Sequence, residues 1–128
     1  MALANGAGGY QVGDGNINEV ILGVTTVVAK TAAATLTAAE LSNDIITYNG
    51  ATANLTLPLA TDVDTLISSA KVNSSFIFYV VNTGSNTATF VTNTGWTLIG
   101  SMAVATTVSG QFLALKTGAG AWSLYRIA

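Results

Sequence analysis

The stretch SFIFYVVNTGSNTATFVT, Ser75 to Thr92, decides the fold class. Phe76, Ile77, Phe78, Tyr79, Val80 and Val81 form an unbroken run of aromatic and β-branched side chains, the pattern of a strand covered on both faces rather than of one side of a helix. Asn82, Thr83, Gly84, Ser85 and Asn86 follow as turn chemistry, since glycine tolerates positive φ and asparagine side chains bond to nearby backbone. A hairpin is expected, with Thr87 to Thr92 returning as a more polar strand suited to a half-exposed pleated surface.

Outward from this centre, the N-terminal half alternates strand and turn vocabulary. Glu19 to Lys30 (EVILGVTTVVAK) is rich in β-branched residues with a bend expected at Gly23, and Thr31 to Leu36 continues extended. Thr37-Ala38-Ala39-Glu40 has the form of a capping box, in which hydroxyl and carboxylate satisfy reciprocal backbone amides at a helix start. Ile45 to Tyr48 reads as a strand closed by Asn49-Gly50, which predicts a second hairpin returning through Ala53 to Leu57. Pro58, the single proline, marks the exit. Val63, Leu66, Ile67 and Ala70 then recur at helical spacing and predict a helix over Asp62 to Lys71, with Asp62 and Asp64 favoured by the dipole of its first turn.

Towards the C-terminus, Trp96 to Ile99 and Met102 to Val108 read as short strands, and Gly110 to Thr117 pairs with Ala121 to Ile127 across Gly118-Ala119-Gly120. Short strands at regular spacing with turns between them imply an all-β domain, a β-sandwich of jelly-roll type with one or two short helices. In the last strand Trp122, Leu124 and Arg126 share one face and Ser123, Tyr125 and Ile127 the other. Both faces carry large apolar groups, so either the strand is buried on both sides or one face packs on another subunit.

The 128 residues suit one domain, and 50% hydrophobic content with 8% charged residues argues against intrinsic disorder. Apolar runs are short, whereas a membrane helix needs about 20 residues. A surface this poor in charge favours self-association. Lys30, Lys71, Lys116 and Arg126 are scattered, leaving no basic footprint for nucleic acid. Met1 to Gly6 shows neither basic nor sustained apolar character, so no secretory signal is expected. Residues 1–18 hold Gly6, Gly8, Gly9, Gly13 and Gly15 and read as an arm ahead of a β-domain spanning 19–128. That arm is either a disordered terminus or a segment that orders on a partner, because it lacks the apolar surface to order alone.

Catalytic vocabulary is thin. The chain contains no histidine and no cysteine, which removes the commonest general base and the thiol nucleophile and leaves no Ser/His/Asp constellation. Asp62 and Asp64 could act as a glycosidase pair but read more simply as a helix start. Asp14, Asn16 and Asn18 imitate a calcium loop, yet Glu19 stands where glycine is needed and Thr25 where the bidentate glutamate belongs. Gly6, Gly8 and Gly9 follow no strand and precede no lysine, unlike a phosphate loop. Trp96, Trp122, Tyr79 and Tyr125 offer an aromatic platform for sugars, or serve as core. No enzyme, cofactor or metal is expected.

One resemblance adds to this. TLTAAEL (Thr35 to Leu41), TLPLA (Thr56 to Ala60), FIFYVVNTG (Phe76 to Gly84), TATF (Thr87 to Phe90), GWTLIGS (Gly95 to Ser101), SGQFLALKT (Ser109 to Thr117) and WSLYRI (Trp122 to Ile127) occur in this order. The series resembles tailed-bacteriophage capsid decoration (cement) proteins and related head-fibre or virion surface β-domains. The resemblance implies a homotrimer on the outer capsid surface, bound to the major capsid protein and stabilising the shell, with no nucleic-acid or membrane partner. On that basis Tyr10, Val12 and Ile17 are the expected capsid-binding anchors of the arm, and Phe90, Trp96 and Tyr125 the expected subunit interface. The alternative is a glycan- or host-binding head-fibre or tail-fibre module.

Overall fold

The computed structural model describes residues 22–128. Its strands are β1 (Val27–Lys30), β2 (Ala34–Thr35), β3 (Ile45–Tyr48), β4 (Ala53–Thr56), β5 (Ser75–Asn82), β6 (Ala88–Val91), β7 (Trp96–Ile99), β8 (Ala103–Val104), β9 (Ser109–Gly118) and β10 (Ala121–Arg126). Two short helices, α1 (Ala38–Leu41) and α2 (Ala60–Leu66), interrupt them. A six-stranded sheet runs β1-β3-β5-β9-β10-β7 and a four-stranded sheet runs β2-β4-β6-β8. The all-β, two-sheet architecture is the one the strand spacing implied.

The connectivity is not that of a jelly roll. A jelly roll pairs its strands antiparallel, whereas five of the eight pairings among the described residues are parallel. From β1 to β9 the chain changes sheet at every step, so β1, β3 and β5 stack in parallel in one sheet and β2, β4 and β6 in the other. Neither expected early hairpin forms. Phe76–Val81 and Thr87–Thr92 belong to different sheets, as do Ile45–Tyr48 and Ala53–Leu57.

The corners show why turn chemistry misled here. Asn82 is buried; its Nδ2 donates to the carbonyls of Asn86 and Val104, and its Oδ1 accepts from the Gly84 amide. These bonds swing the chain from one sheet to the other instead of reversing it. Gly50 has no positive φ among the described glycines; a Cβ there would stand 2.1 Å from the Thr31 carbonyl oxygen. It is glycine because successive corners of the parallel stack touch, and from the following corner Asn86 Nδ2 donates to the Gly50 carbonyl. The predicted hairpin between β9 and β10 does form, antiparallel from Phe112 opposite Arg126 to Gly118 opposite Ala121.

Local helix signals fared unevenly. Thr37 caps α1 as expected, its Oγ1 accepting from the Glu40 amide at 3.1 Å while the Thr37 amide donates to Glu40 Oε1 at 3.0 Å. The helix expected over Asp62 to Lys71 is shorter, ending at Leu66, and begins after Leu59 without a side-chain cap. Ile67 and Ala70 still pack on the core, but through turns.

Between the sheets lies one core. Phe78 and Phe112 stack at 5.5 Å, and Phe90 from the four-stranded sheet meets both edge-on, at 5.7 and 5.0 Å. Trp122 continues the cluster towards Phe76 and Trp96. Edge-to-face and offset contacts of this kind suit aromatic quadrupoles, so the rings lock the two sheets together in one arrangement.

Candidate interaction surface

Because side chains alternate along a strand, the six-stranded sheet has an inner face towards the core and an outer face. Its register assembles the outer face into rows. One row passes through Val27, Ile45, Tyr79 and Gln111, and Ile127 joins it by donating its amide to the Gln111 carbonyl. The next passes through Ile77, Leu113, Tyr125 and Ile99. Flanking rows are small or hydroxylated: Ala29, Thr47, Val81 and Ser109 on one side, Ser75, Leu115, Ser123 and Thr97 on the other, with Val81 and Leu115 as their apolar members.

The apolar rows are open to solvent. Val27 is 54% exposed, Ile77 42%, Tyr79 45%, Ile99 41% and Ile127 54%. The expectation that the Phe76–Val81 strand is covered on both faces therefore holds only for its inner side, where Phe78 and Val80 are fully buried. None of these outward positions carries a charge. A contiguous uncharged apolar face is unusual on a monomer, and where one exists it commonly marks a contact site.

Five of the charged side chains among the described residues are engaged away from this face, while Asp44, next to Ile45 at its margin, accepts from the Thr25 hydroxyl at 3.0 Å. Lys30 pairs with Glu40 at 2.7 Å. The hydrogen bond from Lys30 is the main influence on the Glu40 carboxyl and holds it below the usual glutamate range. Lys116, on the inner register of β9, pairs with Asp64 at 3.0 Å and also donates to the Ala70 carbonyl. Asp64 accepts from the Gly120 amide at 2.6 Å and from Trp122 Nε1 at 2.8 Å. Burial opposes its charge, but these donors and Lys116 outweigh that and keep its carboxyl below the ordinary aspartate value. Arg126 lies over the Phe112 ring at 5.3 Å and donates to the carbonyls of Ser101, Ala103 and Ala128.

The expected site residues divide accordingly. Phe90 and Trp96 are not surface groups: Phe90 sits in the aromatic core, and buried Trp96 donates its Nε1 to the Pro58 carbonyl at 2.7 Å. The two strands that carry them are four residues long, and alternation over so short a run does not reveal which side faces the core. Tyr125 does point outward, between Leu113 and Ile99. Tyr10, Val12 and Ile17 lie outside the described residues, as do Gly6, Gly8, Gly9 and the calcium-like positions Asp14 to Glu19. Of the aromatic platform, Trp122 and Trp96 are core, leaving Tyr79 and Tyr125 on the outer face. Asp62 is exposed while Asp64 is held by its donors, so the two carboxylates occupy unlike settings.

Sequence reasoning noticed the two-faced last strand but missed Leu113 and Ile99 as its neighbours, and Ile77 and Ile45 on the strands beyond. Their alternation was visible; their register was not. The parallel pairing that sets Tyr125 beside Ile99 joins segments that no turn connects. Among the described residues, no group of Asp and Glu side chains gathers as a metal site would, and no helix is long and apolar enough to cross a membrane.

No family model matches the chain, and neither a curated protein nor a solved structure matches it.

Proposed function

We propose that this chain is a structural virion protein that binds the outside of a phage capsid and stabilises it, working as a homotrimer and without catalysis. The observation that carries the reading is the uncharged apolar face of the six-stranded sheet, set on a body locked by aromatic packing. The phage assignment rests on the ordered motif resemblance. A cement acts by adding contact area that must be broken before the shell comes apart, so it needs binding surfaces on a rigid scaffold and no reactive group. In this reading Tyr10, Val12 and Ile17 anchor the arm to the major capsid protein, and the glycines between them permit close backbone approach.

The test is a binding assay on capsids depleted of the protein. Full-length chain should attach and raise the temperature at which the particles open; failure to attach removes the proposal. A chain lacking residues 2–16 should melt almost as the intact one does yet attach far more weakly. Undiminished attachment would relocate the capsid contact to the β-domain.

A glycan-binding head-fibre or tail-fibre module is the second reading, favoured by the open Tyr79 and by Tyr125 on the same face. Binding on a glycan array that is lost on Tyr79→Ala would favour it over the cement.

A further inference from the structure

We infer that the outer face of the six-stranded sheet is the contact surface between copies of this chain. The strands that build it are written for burial on both sides. Ile77 and Tyr79 on β5, Leu113 and Leu115 on β9, and Tyr125 on β10 face away from the core that covers their neighbours.

The face also specifies what covers it. Its outward positions hold apolar, hydroxyl and amide groups and no acid or base, so a charged partner surface would lose its hydration there without gaining a counter-charge. A copy of the same face meets the requirement on every row. In a two-fold contact residue i meets residue j and j meets i, with only residues at the axis meeting themselves, so every outward charge would need an opposite one on the same face; the rows hold neither. Stacked sheets pack about 10 Å apart through interdigitated side chains of this type.

The size is sufficient. Six strands at about 4.8 Å spacing span about 24 Å, and Ser75 to Val81 rises about 20 Å, a footprint of roughly 500 Å² in projection. Two such faces together bury about 1,000 Å² in projection and more in accessible area, which meets the roughly 1,000 Å² that a biological interface should clear.

The inference stands apart from the capsid proposal: a chain that self-associates but ignores capsids keeps the first and loses the second. The experiment uses the full chain in analytical ultracentrifugation across the micromolar range. Wild type should sediment as a dimer, or as a hexamer where trimers pair through this face, because a face that packs on its own copy closes in twos; a lone trimer would place the contact elsewhere and overturn the inference. Tyr79→Lys and Tyr79→Asp, each changing a side chain that is 45% exposed, should each raise the dissociation constant by about a hundredfold or more, because like charges then face one another. An equimolar mixture of the two variants should associate again, a result that only contact between copies produces. Circular dichroism confirms the fold, and Ile99→Lys on β7 serves the same purpose should the Tyr79 variants not fold. A wild type that stays monomeric throughout overturns the inference. So does a well-folded Lys or Asp variant that associates as wild type does.

Discussion

The two faces of the six-stranded sheet are made by the same strands, residue by alternate residue, and they obey opposite rules. The inner face accepts polar and charged groups provided each is partnered: Asn82 bonds three backbone groups, Lys116 meets Asp64, and Arg126 covers Phe112 while donating to carbonyls. The outer face, nearer to water, carries no charge at all along its register. A sheet with one wet side ordinarily shows apolar residues inward and polar residues outward, whereas parallel pairing, which joins three of the five strand pairs of this sheet, goes with cover on both faces. Here the inward side is the more chemically varied. Solvent alone would not select Ile77, Tyr79, Leu113, Tyr125 and Ile99, so the outer composition answers to a second surface.

The largest effect that separates the faces comes from neighbouring residues of β9. Phe112→Ala removes a ring in contact with Phe78, Phe90 and Arg126, and should cost about 3 to 5 kcal/mol in urea unfolding. Leu113→Ala, one residue on and half-buried on the outer side, should cost about 1 kcal/mol in dilute protein. Equal losses at the two positions would mean that the outer face is as buried as the core.

Next comes Asp64, the anchor of the inner face's charge. Asp64→Asn keeps the shape but weakens the bonds from Gly120, Trp122 and Lys116, and should lower stability by about 1 to 3 kcal/mol. The pH dependence has a definite sign. A carboxyl whose folded pKa lies below its unfolded value contributes stability that is complete above the unfolded pKa and lost as pH falls through the folded one. Wild type should therefore weaken through the acid carboxylate range, and Asp64→Asn should weaken less steeply there. Parallel acid profiles for the two proteins would show that Asp64 is not held in this way.

What could be read from the sequence tracks the distance between interacting groups. The capping box was legible because Thr37 and Glu40 meet within one turn, and so was the β9–β10 hairpin, whose strands flank a short glycine turn. The corners were not. Asn49-Gly50 has the same composition whether the chain reverses within a sheet or crosses to the other, and Gly50 is fixed by Thr31, in an earlier corner of the stack. Phe90 and Trp96 were assigned to a surface because apolar groups stand on both sides of their strands; only the strand order shows that they point into the core. The outer face was half legible, since Phe76 to Val81 declares burial on two sides while the described residues supply one.

Capping gives a smaller effect on α1, whose buried Leu41 is its one full anchor in the core. Thr37→Ala removes the bond to the Glu40 amide and should cost about 1 kcal/mol. Thr37→Ser, which keeps the hydroxyl, should restore most of it. Urea midpoints for the three proteins decide the matter, and identical midpoints would show the box to be idle.

The smallest effect on folding is also the one that tests the outer face most directly. Ile77→Thr keeps a β-branched side chain on β5, so strand preference is retained, and the residue replaced is already 42% exposed. In dilute solution the melting midpoint should move by no more than about 0.5 kcal/mol equivalent. At high protein concentration the outcome changes. Association stabilises whatever folded form it binds, by an amount that grows with concentration; wild type should melt progressively higher as its concentration rises, whereas Ile77→Thr should gain less. A scan of melting temperature against concentration for the two proteins measures the difference. Parallel lines would place Ile77 outside any self-contact, and a large loss in dilute wild-type-like conditions would mean that the outer row already belongs to the core.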